Sequence, residues 1–419
     1  MGQANGKRDI EEGLRLFKAG KEERANRIWK QTLDRTKDRN IRFIMLRHLI
    51  GALYSMGRYR DCSSFAIEQL TAANIVDRKD YKAEAYWNLA RANARSGEFQ
   101  KALSFGKHAL SNTSQKDNDG QLVGWIHLAL AESHFGFSDF QGALEQSERA
   151  LQQATKTDNL IMECETYVKF GEVYLALKDY DKAMKFFIRS SEMIRCLGQP
   201  WSPQLKSLVL LKLAEGNRKQ GVLDRALQNC EEAMKIAVQE LDYSMQAKCL
   251  ATLGDIHRSR RDADRAHSKY EASWSQAGEI GDHVCQLHIL MGLIKLFMSA
   301  RDFEKAIEAS EKGLEVGTGI GSKIHVLRCH WFLYQLYLQS ESDRALSQDH
   351  AKKFDGLLRE LQLYCGVCHD VIGKQKDNVY AMECCHIFHS KCVENSSFRS
   401  KGCPNCKVSS GILSKPYSM

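Results

Sequence analysis

Between residues 365 and 406 the chain carries Cys365, Cys368, Cys384, His386, His389, Cys392, Cys403 and Cys406, eight side chains of the types that ligate zinc. The outer pairs are Cys-x-x-Cys, a spacing that lets two thiolates share one tetrahedral ion. The run 384–392 (CCHIFHSKC) supplies the other four ligands, with Cys385 as a spare. As a third ligand Cys385 would sit directly against His386, too cramped for the two to share an ion, so Cys384 is preferred. Eight ligands fill two closed four-coordinate sites and leave no position for a reacting water, so the two zinc ions are structural. A segment this short has little apolar core of its own, and such an ion contributes on the order of 10 kcal/mol to folding.

The chain has 14 cysteines, and the seven outside this segment (Cys62, Cys164, Cys196, Cys230, Cys249, Cys285 and Cys329) stand singly in helical sequence. They read as small buried hydrophobes. Clustered cysteines of this kind point to metal in a reducing, cytosolic compartment rather than to disulfides. No uninterrupted apolar run of about 18 residues occurs, so no transmembrane helix is predicted. The first residues, MGQANGKR, lack the apolar core of a secretory signal.

What must position the zinc module is mostly helix. In 419 residues there are only four prolines, and Ala, Leu, Lys, Glu, Gln and Arg dominate. A short pattern returns throughout: GKEERAN at 20–26, GRYRDCS at 57–63, GEFQKAL at 97–103 and SDFQGAL at 138–144. KDYDKAM at 178–184, GVLDRAL at 221–227, RDADRAH at 261–267 and RDFEKAI at 301–307 continue it. Its small residue is Ala25, Cys62, Ala102, Ala143, Ala183, Ala226, Ala266 and Ala306, at spacings of 37, 40, 41, 40, 43, 40 and 40. About 12 residues earlier stands another small residue (Gly13, Ala90, Ala131, Gly171, Ala214, Gly254), where two helices approach closely. Near each turn Tyr59, Phe99, Phe140, Tyr180, Leu223 or Phe303 plugs the gap.

These positions match the tetratricopeptide repeat, whose usual period is about 34. The longer period predicts longer helices or longer connections, and the segments 115–120, 197–203 and 317–322 read as the connections. The hairpin at 42–73 is degenerate and predicts altered curvature near 40–80. A single hairpin cannot bury its apolar face, so the chain reads as all-α: a superhelical solenoid of about seven to eight repeats over 9–322. Capping helices or a short coiled coil follow at 323–363, then the zinc module at 364–407 and a tail at 408–419. The concave groove of such a solenoid is expected to hold a peptide or helix of a partner.

The formal charge is +8, with 60 Lys and Arg against 52 Asp and Glu, and residues 1–47 alone carry +6 (13 basic against seven acidic). These charges lie along amphipathic helices with few interleaved aromatics, which favours a membrane surface over nucleic acid. Met1-Gly2 permits acylation of Gly2 within a segment 1–8, although Gly6 stands where that pattern wants Ser or Thr. One acyl chain binds membranes only marginally, and the basic residues supply the second signal it needs.

The Cys and His order resembles the two-histidine variant of the RING family, as does the closing CPNC at 403–406. The resemblance implies a cross-brace in which Cys365, Cys368, His389 and Cys392 hold one ion and Cys384, His386, Cys403 and Cys406 the other. It also implies that Val367 and Lys407 contact a ubiquitin-type conjugating enzyme if the module is a ligase. Active ligases often carry a Trp before the seventh ligand and an Arg after the eighth; Phe398 and Lys407 stand in those regions here.

With Gly2, the solenoid and NLARAN (88–93), DIHRSR (255–260), YCGVC (364–368), HIFH (386–389) and CPNC together, the chain resembles the rapsyn family as a divergent member. That resemblance implies a scaffold on the cytoplasmic face of the postsynaptic membrane. The scaffold clusters nicotinic acetylcholine receptors through a cytoplasmic segment, self-associates, and reaches dystroglycan and the cytoskeleton. Ser409 and Ser410 are then candidate phosphorylation sites. The alternative reading is a RING-type ubiquitin or ubiquitin-like ligase that selects substrates with its solenoid.

Overall fold

Helices of 14 to 18 residues, not long loops, account for the period near 40. The computed structural model describes residues 2–113, 120–196, 201–339 and 344–361, and parts of 363–394. Cys384, His386, Cys403, Cys406, Lys407, Ser409 and Ser410 lie outside the described residues, as do most of the segments 115–120 and 197–203.

The helices form consecutive antiparallel pairs. The first five pairs are α1 (Gly2–Lys18) with α2 (Glu22–Arg35), α3 (Arg39–Ser55) with α4 (Tyr59–Val76), α5 (Lys79–Arg95) with α6 (Phe99–Asn112), α7 (Gly120–Gly136) with α8 (Phe140–Lys156), and α9 (Leu160–Ala176) with α10 (Tyr180–Cys196). Then come α11 (Pro203–Lys219) with α12 (Leu223–Gln239), α13 (Tyr243–Ser259) with α14 (Ala263–Ile280), α15 (His283–Ala300) with α16 (Phe303–Ile320), and α17 (Lys323–Gln339) with α18 (Arg344–Glu360). The segment 323–360 therefore continues the stack as one more hairpin. A boundary after residue 8 falls inside α1, which begins at Gly2.

Among the predicted small residues, Gly13, Gly171 and Gly254 sit under aromatic rings. A Cβ on Gly171 would lie 2.3 Å from the Phe187 ring, and one on Gly13 only 2.1 Å from the Trp29 indole nitrogen. That nitrogen donates to the Ile10 carbonyl at 3.2 Å. Tyr270 wedges between two glycines of successive repeats, 2.6 Å from a Cβ on Gly254 and 2.4 Å from one on Gly292. The plugging residues Tyr59, Phe99, Phe140, Tyr180, Leu223 and Phe303 each open the second helix of their pair. Many turns end in an aspartate that caps the next helix: Asp282 accepts from the Cys285 N–H at 2.9 Å and Asp242 from the Met245 N–H at 3.0 Å. Such caps stabilise by about 1 kcal/mol each.

The segment 317–322 departs from its reading as a connection, because α16 runs on to Ile320 and stops at Gly321, whose φ is +74°. Gly313 and Gly317 serve close helix approach instead: a Cβ on them would meet Cys329 Sγ at 2.9 Å and Val326 at 3.2 Å. Through residues 40–80 the stack continues, with α4 packed on α5 and Phe43 stacked on Tyr81 at 3.9 Å between ring centroids. Among the described residues one helix, α15, is long and apolar enough to cross a membrane by length and composition. Its Ile289, Leu290 and Ile294 are buried in the stack.

From α5 to α17 each odd-numbered helix packs on the next odd-numbered one, which puts these helices on the inside of the curve. The curve is tight enough for early and late repeats to touch. The Ile324 N–H donates to Ser138 Oγ at 3.0 Å across 186 positions. Gly57, with φ +74°, leaves room for Ser244, whose Cβ would be 2.6 Å from an added one. A single apolar cluster joins Phe140, Val173 and Leu177 to Leu290 and Leu327 on the far side of the turn.

Gly20 shares the φ of +74° but has nothing within 4 Å. We therefore expect Gly20→Ala to cost about 1 kcal/mol from backbone strain alone, and Gly57→Ala about 1–3 kcal/mol more from the clash with Ser244. Urea unfolding of the two variants checks this, and equal losses would show that the turns do not meet there.

Candidate functional site

The metal-ligand cluster is built on two short hairpins. β1 (Leu363–Tyr364) pairs antiparallel with β2 (Val371–Ile372), and the Cys365 N–H donates to the Asp370 carbonyl at 2.9 Å, folding the first Cys-x-x-Cys into a turn. β3 (Val379–Ala381) pairs with β4 (Ile387–His389), which runs directly into α19 (Ser390–Glu394). That junction puts His389 and Cys392 one helical turn apart. The ligand atoms of Cys365, Cys368, His389 and Cys392 all lie within 4.8 Å of one another. His389 faces the sulfurs through Nδ1, 3.3 Å from Cys368 Sγ and 3.9 Å from Cys392 Sγ. A tetrahedral zinc with three sulfurs and one nitrogen needs ligand–ligand edges of roughly 3.3–3.8 Å, so the donor set fits that ion in number, type and spacing. Without a cation, burial and the adjoining Cys368 and Cys365 push the Cys392 thiol up to about 12.

The module is not a separate bead. Cys365, Ile372, Ile387 and Phe388 share one apolar cluster with Leu327 and Phe332 of α17 and Leu358 of α18, and Val367 packs half-buried against it. Leu363 and Ile387 also line a cleft with Leu177, Lys178, Ile324 and Arg328, so the module sits against the fifth hairpin as well as the last.

A second polar assembly lies on the inner helices, and the sequence reading above does not contain it. Arg95 stands 3.8 Å from Glu132, Lys169 bridges Glu132 and Glu172, and Lys212 bonds Glu172 at 3.0 Å and Glu215 at 2.9 Å. Burial alone would raise the Glu172 carboxyl, but Lys169 and Lys212 hold it far below the usual range. Further along, Asp255 takes Arg218 at 2.8 Å, Arg258 at 3.1 Å, His288 at 3.2 Å and the Tyr270 hydroxyl at 2.7 Å. Glu132, Glu172, Glu215 and Asp255 each follow directly on the small residue of their repeat (Ala131, Gly171, Ala214, Gly254). An acidic residue one position after the small residue of the repeat is thus the sequence signal for this ladder.

At the other end, Gly2 starts α1, and the cations Lys7, Arg8, Arg15, Lys18, Lys21 and Arg24 are exposed while Ile10, Phe17 and Trp29 are buried. Gly6 is buried under Met45, whose Sδ lies 2.8 Å from where a Cβ would stand. That contact is a packing reason for glycine where the acylation pattern wants Ser or Thr.

Stack and cluster together define a tetratricopeptide-repeat protein ending in a RING-type metal module. Comparison with known proteins agrees for the repeats: a tetratricopeptide family model matches residues 122–195, and a model described as the rapsyn N-terminal myristoylation and linker region matches residues 1–80. The 43 kDa receptor-associated protein of the synapse from Tetronarce californica is 36% identical over 98% of both chains. Its counterpart from Gallus gallus is 37% identical over 97% of this chain and 98% of its own. The chain belongs to this rapsyn family.

Among solved structures, a Rap protein complexed with competence and sporulation factor superposes with a TM-score of 0.53 at 13% identity, covering 86% of this chain and 88% of that one. The APC/C hetero-tetramer Cut9–Hcn1 gives 0.55 at 13% identity, over 83% and 60%. These two share the fold.

Two outcomes follow from the geometry. Replacing Cys392 by Ser should lower the zinc bound per chain by one ion, measured by mass spectrometry of the metal content; an unchanged ratio would remove Cys392 from the ligand set. Replacing Asp255 by Asn leaves Arg218 and Arg258 without their carboxylate and should cost about 3–5 kcal/mol. Because the folded state holds Asp255 well below its ordinary range, the unfolded chain takes up that proton first. Its stabilisation is therefore complete above about pH 4 and is lost as pH falls toward the depressed value. Chemical unfolding of the Asn variant should show a flatter dependence below pH 4 than the parent protein.

Proposed function

We propose that the chain is a peripheral-membrane scaffold on the cytoplasmic face of the postsynaptic membrane that gathers nicotinic acetylcholine receptors and anchors them to the cytoskeleton. The observation that carries this reading is the relationship to a receptor-associated protein of the synapse over 98% of both chains, from the myristoylation region to the metal module. An acylated Gly2 and the exposed cations of α1 and α2 give the two weak membrane signals that together suffice for anchoring. The solenoid contacts the receptor and other copies of itself, and the C-terminal module docks dystroglycan or cytoskeletal proteins.

Two structural zinc ions hold that module, one on Cys365, Cys368, His389 and Cys392 and the other on Cys384, His386, Cys403 and Cys406. Their chemistry is to fix the fold of a segment too small to fold alone. Val367, the residue that would meet a conjugating enzyme, is already half-buried against the shared core. This favours a docking role for the module over ligase activity.

Coexpression with a nicotinic receptor in a cell line tests the reading: the receptor should collect into surface clusters with the protein beneath them. The Gly2→Ala variant should move to the soluble fraction and leave the receptor diffuse. A receptor that stays diffuse with the parent protein would overturn the proposal.

A further inference from the structure

The two ends of the first three hairpins differ in what covers them. Gly20, Gly57 and Gly97 mark one end, where α1, α3 and α5 turn into α2, α4 and α6. Later repeats close that end on the second and third hairpins. Gly57 meets Ser244, and a Cβ on Gly97 would lie 3.3 Å from Ile320. Arg60 lies against Gly281, with its Nη2 3.4 Å from His283 Nε2. At the opposite end α2 turns into α3 and α4 into α5, and residues 37–40 and 77–80 are all exposed. Successive helices run antiparallel, so α1 begins at this open end and Gly2 lies there.

The open end is basic once its own pairs are set aside. Asp38 caps α3, accepting from the Asn40 and Ile41 N–H groups at 2.8 and 3.2 Å. Asp77 pairs with Lys82 and Asp80 with Arg78, which leaves Asp34 as the exposed carboxylate of these turns. Against it stand Arg35, Lys37, Arg39 and Lys79, exposed and in no ion pair or side-chain hydrogen bond among the described residues. Lys7 and Arg8 add two more exposed cations near the start of α1. One large apolar side chain stands among them: Ile75, next to the last residue of α4, is 58% exposed.

We propose that this open end is the face that rests on an anionic lipid bilayer, with an acylated Gly2 and Ile75 entering the headgroup boundary and Arg35, Lys37, Arg39 and Lys79 over the lipid phosphates. The inference rests on the peripheral-membrane reading above and adds the face and the orientation: the superhelix stands on its first turn instead of lying on its convex side. A single acyl chain holds a protein to a membrane only marginally, so the second signal must reach the same surface. Cations contribute within about a Debye length, some 8 Å at physiological salt. Those beside Gly2 meet that limit. Lys18, Lys21 and Arg24 do not, because the 17 residues of α1 place them about 25 Å from its start. Ile67, 57% exposed on the same helix as Ile75, lies eight residues back, roughly 12 Å from the edge, beyond the 5–10 Å that interfacial side chains reach.

The test is cosedimentation of the full-length, zinc-loaded, myristoylated protein with phosphatidylcholine vesicles, with and without phosphatidylserine. The parent should bind the anionic vesicles more tightly, and more weakly as salt rises. Arg35→Gln/Lys37→Gln/Arg39→Gln should bind them at least about tenfold more weakly, and Ile75→Ser should lose several-fold. Lys18→Gln/Lys21→Gln/Arg24→Gln, which removes the same charge from the other end of the hairpin, should bind like the parent, as should Ile67→Ser. Every substituted side chain is exposed, so the melting temperatures should not separate the variants.

Parent-like binding by the Arg35/Lys37/Arg39 and Ile75 variants would overturn the lipid face while leaving membrane association intact; if those variants also fail to gather receptor clusters, the open end belongs to an acidic protein. An equal loss in the Lys18/Lys21/Arg24 variant would reduce the effect to net charge and overturn the proposal as well. An equal loss in Ile67→Ser would lay the superhelix on its side and overturn the end-on orientation. No vesicle binding by the parent would overturn this inference together with the reading it rests on.

Discussion

The structure depends on how closely two helices of a hairpin can approach. At Gly13, Gly171 and Gly254 there is no side chain on one helix, and a ring from the other (Trp29, Phe187, Tyr270) lies where the Cβ would be. This seats large apolar residues between helices whose outer faces are polar, and it fixes the pair as a unit that can be stacked. Tyr270 shows how much hangs on the contact. Its ring touches Gly254 in its own hairpin and Gly292 in the next, and its hydroxyl donates to Asp255. One side chain thus sets the spacing within a repeat, the spacing between repeats and the position of a buried carboxylate.

Polar chemistry on the inner helices follows from that spacing. An acidic residue placed directly after the small residue faces the inside of the curve in four consecutive repeats; a cation from a neighbouring inner helix reaches Glu132, Glu172 and Asp255 at 2.8–3.8 Å, and Glu215 takes Lys212 of its own helix at 2.9 Å. Such charges have lost most of their water, so they are tolerable only in pairs. Asp255 on α13 is the last of the four, and it draws Arg218, Arg258 and His288 to one carboxylate.

The repeat was legible because its signals are local and periodic: a small residue, a plugging aromatic and a turn, returning about every 40 positions. The glycines at 317–322 misled for a related reason. Glycine marks both loops and tight helix contacts, and only the presence of Val326 and Cys329 opposite distinguishes them. The ligand types of the metal module were plain from composition. That Cys365 and Cys368 join His389 and Cys392 rather than nearer residues came from family resemblance, because spacing alone favours neighbours. The meeting of early and late repeats was not legible at all. Ser138 with Ile324 and Gly57 with Ser244 are single contacts between residues some 190 positions apart, and no pattern in a single chain announces such a pair.

The apolar cluster that runs from Leu177 through Leu327 to Ile387 has a consequence for the order of assembly. Translation delivers the repeats before the metal ligands. Until residues 363–393 leave the ribosome, the fifth and ninth hairpins lack a cover over Leu177 and Leu327. The nascent superhelix therefore waits, partly unsealed, for residues 363–393 and for the ion that folds them. A chain cut short by even a few dozen residues would present to the cell's quality-control machinery the apolar strip that the finished protein hides.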